Sequence, residues 1–147
     1  MPPTPFIADY ALWVFLSALG VLQFVAARSA LTGLLFLRRW PRPSAYLGLM
    51  LAAASLVWFF ASEFRNLPDT QTGLDGNTQA LWFVLSTGAA VAVTFLASSA
   101  LNHRWGAAHG WDPAAQRWAP SGLGWLGHTT FARALLCRIS AMLSRTG

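Results

Sequence analysis

The sequence predicts an all-α integral membrane protein, with three transmembrane helices followed by a C-terminal amphipathic helix at the interface. Three observations predict it. The apolar runs Tyr10–Ala27, Ala45–Ser62 and Ala80–Leu101 carry no charged side chain, and a helix of roughly 20 apolar residues crosses a ~30 Å hydrocarbon core. The chain of 147 residues is 55% hydrophobic and only 10% charged, where a soluble domain carries about 25% charged residues. The arginines flank the runs instead of interrupting them. Lipid offers a bare backbone no hydrogen bonds, so each run is read as a helix. The length fits one membrane domain over residues 1–147.

The elements follow in order. Pro2, Pro3 and Pro5 predict an extended lead-in over Met1–Asp9, with Asp9 as N-cap of the first span. No basic n-region precedes that span, so it is expected to stay as an anchor and not to be removed as a signal peptide. The span covers about 10–27. The apolar pattern resumes over Ser29–Leu37 and stops at Arg38-Arg39-Trp40-Pro41. Two layouts compete. In one, Tyr10–Ala27 crosses and the continuation to residue 37 runs along the interface. In the other, the membrane frame slides to about Ala18–Leu37, and Arg28 lies mid-bilayer at about 2.5–3.5 kcal/mol or more. No span holds an acid to pair with Arg28, so the first layout is preferred. Pro41-Arg42-Pro43 then breaks the chain, and Ser44 is expected to cap a second span over about 44–62. Asn77 or Thr78 is expected to cap the third, over about 79–101.

Small residues at helical spacing allow close helix approach in lipid. Gly48, Ala52 and Ser55 form such a face on the second span. Ser86, Ala89, Ala90 and Val93, with Gly88 and Ala92 alongside, form one on the third. These two spans are therefore expected to pack as an antiparallel pair. Ser17 and Gly20 offer a weaker version in the first span. Gln23, strongly polar in the middle of that span, is expected to join helices by a hydrogen bond.

Beyond the spans, 102–127 reads as an irregular interfacial tail. Trp105, Trp111, Trp118 and Trp125 recur every six or seven residues among glycines and prolines, and indoles favour the headgroup region. Residues 129–145 read as an amphipathic helix. Phe131, Leu135, Leu136, Ile139, Met142 and Leu143 share one arc, while Arg133, Arg138 and Arg145 lie off it. Such a helix suits an anionic membrane surface or the apolar face of a partner.

Charge sets the orientation. The ten basic residues are all Arg. The segment after the first span holds Arg28, Arg38, Arg39 and Arg42, and the tail holds five more. The segment between the second and third spans carries Glu63, Asp69 and Asp75 against Arg65. The positive-inside rule then predicts an N-terminus outside and a C-terminus in the cytoplasm, in a membrane such as the bacterial inner membrane. That rule also accounts for the net charge of +5 without nucleic acid.

No catalytic or metal-binding signature emerges. The spans contain no His, Asp or Glu to serve a nucleophile. Asp69–Gln79 has oxygen side chains but not the spacing of a calcium loop. His109 and His128 match no zinc pattern. His103, at the end of the third span, is the sole candidate to ligate a haem or a chlorophyll magnesium, against the plainer reading of a headgroup contact. A single cysteine, Cys137, excludes an intrachain disulfide and reads as a small apolar-side residue before a lipidation site. The expected function is a non-enzymatic accessory subunit of a larger membrane complex. A respiratory or photosynthetic complex rests on analogy alone. Phospholipid, quinone or pigment contacts would go with that role, although the sequence requires no cofactor. The rival readings are an oligomeric channel or small transporter and a cofactor-holding subunit using His103.

Overall fold

A computed structural model describes residues 4–61, 76–108 and 123–143. The described residues are mostly helical, without a strand. Five α-helices run α1 (Thr4–Arg28), α2 (Pro41–Ala61), α3 (Gly76–Leu101), α4 (His103–Ala108) and α5 (Phe131–Leu143), with 3-10 turns at Thr32–Leu34 and Gly124–Gly127. Helices α1, α2 and α3 are long and apolar enough to cross a membrane.

α1 stands between the other two spans, which changes the expected pairing. It packs against α2 and, less extensively, against α3, while α2 and α3 share no comparable interface. The α1–α2 contact is antiparallel. Tyr10 and Trp13 meet Phe59 near one end, Ser17 meets Ser55, and Gly20 meets Gly48 and Ala52. A Cβ at Gly20 would lie 2.5 Å from the Gly48 carbonyl oxygen, and one at Gly48 would lie 2.6 Å from that of Gly20. Each glycine thus accepts the other's backbone. Lipid drives no hydrophobic association, so this close approach supplies the van der Waals contact that joins spans. The Ser17 and Ser55 hydroxyls add a 2.8 Å hydrogen bond across the interface.

The buried face of α3 keeps Ser86 and Ala90 of the expected set and leaves Gly88, Ala89, Ala92 and Val93 outside. Its buried positions are Ser86, Ala90, Thr94, Ser98 and Ser99, mostly one residue in four. Gly88 and Ala92 are exposed, and nothing lies within 4 Å of a Cβ placed on Gly88. The buried stripe is polar and the outer face is apolar, with Leu81, Phe83, Val84, Leu85, Leu96 and Leu101 exposed. That inversion of the soluble pattern suits a helix whose surroundings are hydrocarbon.

Helix starts also differ from expectation. α1 begins at Thr4, so Asp9 lies inside the helix and is not its cap. α2 begins at Pro41, with Ser44 inside it and its N–H donating to the Trp40 carbonyl at 3.0 Å. A proline in a first helical turn gives up an N–H that lacks an intrahelical partner anyway. Proline therefore opened these helices where it was expected to precede them.

The largest difference follows α1. The chain stops helical growth at Arg28, which is exposed, and Ala30 takes a left-handed φ of 56°. The Leu31 N–H closes the end on the Ala26 carbonyl at 2.9 Å, as in a Schellman stop. Residues 31–36 then fold back against α1, α3 and the second 3-10 turn. Leu34 and Leu35 are buried with Ala26, Trp125, Leu126 and Ala134. The segment is therefore a packed plug, where a run along the interface was expected.

Candidate functional site

The arginine-rich end of the bundle concentrates the polar chemistry of this chain. Its framework is the plug at 31–36, whose irregular backbone leaves N–H and C=O groups inside the fold. Each such group is expensive to bury unpaired. Side chains from two directions answer them. Gln23 donates from Nε2 to the Leu34 carbonyl at 3.1 Å and accepts the Phe36 N–H on Oε1 at 3.0 Å. Asn102, at the end of α3, donates from Nδ2 to the Leu35 carbonyl at 2.8 Å. Thr32 donates its hydroxyl to the Gly127 carbonyl at 2.9 Å. Gly33 packs where no side chain fits. A Cβ there would overlap the Thr129 carbonyl and come within 2.6 Å of the Leu126 oxygen.

Gln23 thus binds the loop backbone, not a neighbouring span. Sequence reasoning also missed Asn102 and Gly33. Asn102 carried one signal, an amide at the end of an apolar run beside His103. Gly33 carried none, because its constraint comes from residues almost a hundred positions away.

α5 is tied to the same end. Its first turn presents an N–H at Ala132 to the hydroxyl of Ser99 on α3, at 3.2 Å. That hydroxyl answers an N–H that the helix itself leaves unpaired. Just before the helix, Thr130 accepts the Ala134 N–H on its backbone carbonyl, and Thr129 is fully buried. Phe131 packs on Phe95, with ring centroids 4.5 Å apart, and on Trp125 at 6.3 Å. Trp125 is buried, where an interfacial indole was expected. The Arg138 guanidinium lies 5.7 Å from its ring centroid. Leu135, Leu136, Ile139, Met142 and Leu143 are exposed, and Arg133 is half-buried.

Beside the plug lies a cleft of about 480 Å³, lined by Arg38, Arg39, Trp40, Arg104, Trp105 and neighbouring apolar residues. The first part of the tail, expected to be irregular, forms the short helix α4. That helix carries Trp105, and the Arg38 guanidinium sits 4.4 Å from its ring centroid. Such stacking fixes a long side chain while leaving its N–H edges available.

His103 is exposed at the start of α4; its neighbour Asn102 is the residue that turns inward. No group of three His, Cys, Asp or Glu able to hold a metal occurs among the described residues. Four buried polar atoms have no hydrogen-bond partner among the described residues: Trp13 Nε1 and the hydroxyls of Thr87, Thr94 and Thr129. Trp13 and Thr87 both line a mostly apolar groove of about 340 Å³ between α1 and α3. The calcium-like stretch up to Asp75, His109, Trp111, Trp118 and Arg145 lie outside the described residues. Comparisons with protein-family models, with curated proteins and with solved structures gave no match.

Proposed function

We propose that this chain is a small, non-catalytic accessory subunit that packs into and stabilises a larger membrane complex. One observation carries the reading. The buried or half-buried hydrogen-bonding side chains at the plug and the α1–α2 contact, Gln23, Asn102, Ser17 and Ser55, bond to this chain's own backbone or to each other. They build architecture and do not present a reactive group. What the chain offers outward is apolar surface. Only 17% of the apolar window of α3 and 22% of that of α2 is buried within the chain. Exposed aromatics punctuate these faces, including Tyr46, Trp58, Phe60 and Phe83.

In this reading the arginine-rich end faces the cytoplasm, the N-terminus faces outward, and the membrane is a bacterial inner membrane, as the charge asymmetry supports. α5 is an amphipathic interfacial helix that turns its exposed leucine arc to lipid or to a partner. A bioenergetic complex is one such setting, by analogy.

Solubilisation of native membranes in mild detergent, followed by native mass spectrometry, tests the proposal. The expected result is a stoichiometric assembly with larger, different subunits. A chain that runs alone, or that forms a closed homo-oligomer conducting ions in liposomes, overturns it.

A further inference from the structure

We propose that the Arg38–Trp105 cleft is a binding site for the phosphate headgroup of an anionic phospholipid. Four observations converge. Three arginines line the cleft, Arg38, Arg39 and Arg104, and no acidic residue among the described residues does. Guanidinium groups match phosphate oxygens with a planar fork, so the cleft attracts a compact anion. Arg38 is held in place by its 4.4 Å stack on the Trp105 ring, which lowers the entropy lost on binding. The plug below is pinned by Asn102 and Gln23, so the two arginine-bearing segments keep their spacing without a ligand.

The fourth observation selects a lipid over a soluble phosphate. The cleft is basic at its rim and apolar along Phe36, Leu37 and Leu101. Leu37 and Leu101 are themselves exposed, at 43% and 66%. A headgroup in the rim would therefore direct its acyl chains onto apolar surface at the end of α3. Trp40, 65% exposed at the mouth, sits where indoles occupy the headgroup layer. A free phosphate would use the arginines and leave that apolar surface uncovered. Basic pockets at the ends of spans are a recognised form of anionic-lipid site.

The test uses the full chain in nanodiscs of phosphatidylcholine doped with phosphatidylglycerol or cardiolipin, with retained lipid read by native mass spectrometry after detergent release. The wild-type chain is expected to retain the anionic lipid over phosphatidylcholine. Arg38→Gln and Arg104→Gln are each expected to weaken retention about fivefold, as for ~1 kcal/mol per arginine at a membrane surface. Arg38→Lys and Arg104→Lys keep the charge and should recover part of that loss, which separates binding from misfolding. Arg65→Gln, in the segment between α2 and α3, removes an equal charge away from both the cleft and α5 and should leave retention unchanged. Two results overturn the proposal: equal retention of anionic and zwitterionic lipid, or an equal loss from Arg65→Gln. Displacement by inorganic phosphate or glycerophosphate overturns the lipid assignment and leaves a soluble phosphate as the ligand.

Discussion

At the scale of single residues, Gln23 is the most consequential side chain. It satisfies two groups of the plug at once, the Leu34 carbonyl and the Phe36 N–H, and is itself only 6% exposed. Gln23→Leu removes both bonds and strands both backbone groups, each worth about 1–3 kcal/mol when buried without a partner. The expected loss is about 2–4 kcal/mol, read as a lowered midpoint in SDS titration of the purified chain followed by circular dichroism. Ser17→Ala is the natural contrast. It removes one interhelical bond, and such bonds average about 0.6 kcal/mol in membrane proteins. The ordering matters more than either value. If Ser17→Ala destabilised the chain as much as Gln23→Leu, the plug would not be the structural centre described above. Legibility at this scale was uneven. The sequence marked Gln23 as exceptional, because an amide inside an apolar run must find a partner. It did not reveal which partner, because the plug backbone becomes a neighbour only after Ala30 turns the chain.

At the scale of elements, glycine position separates true contacts from composition. Gly20 and Gly88 both belong to small-residue patterns, yet only Gly20 meets backbone. A Cβ there would stand 2.5 Å from the Gly48 oxygen and 2.8 Å from the Ala52 nitrogen, atoms that move only if the helices separate. Gly20→Ala is therefore expected to loosen α1 from α2 and lower the SDS midpoint by about 1–3 kcal/mol, as overpacking does. Gly88→Ala fills open space on an exposed helix face and gains helix propensity of about 1 kcal/mol, so its midpoint should hold or rise. α5 offers a second test. Ser99→Ala removes the acceptor for the Ala132 N–H, with an expected loss of about 1 kcal/mol, the usual value of a cap. Faster hydrogen exchange confined to the first turn of α5 would report it, and unchanged exchange there would exclude Ser99 as the cap. The three spans were legible because length and hydropathy are local properties. Which faces meet was not. Small residues occur on both sides of these Ala-rich helices, and the decision lies in the return of the plug, which uses one end of α3 and leaves α2 to α1.

At the scale of the whole molecule, three helices long and apolar enough to cross a membrane run between the two ends of the bundle. α2 ends at Ala61 and α3 starts at Gly76, and Phe59 and Trp82 bring these helix ends together at one end of the bundle, the ends that the acidic segment joins in sequence. The plug, the cleft and α5 gather at the other, where Ser99 and Phe95 of α3 hold the first turn of α5. If α3 crosses the bilayer, these two regions lie in opposite compartments, whichever way the chain is inserted. The single cysteine makes this measurable. Cys137 lies on α5 and is partly exposed, so it reports on the arginine-rich end in the unaltered chain. With that end in the cytoplasm, a membrane-impermeant maleimide added to sealed right-side-out vesicles should leave Cys137 unlabelled until the membrane is permeabilised. In a chain carrying Cys137→Ser and Gly73→Cys, the same reagent should label from outside at once. Labelling of both positions from outside would remove the third crossing. Labelling of Cys137 alone would keep the crossings and invert the orientation. The two failures are distinct because the crossings rest on the length of an uncharged helix, whereas the orientation rests on where the arginines accumulate.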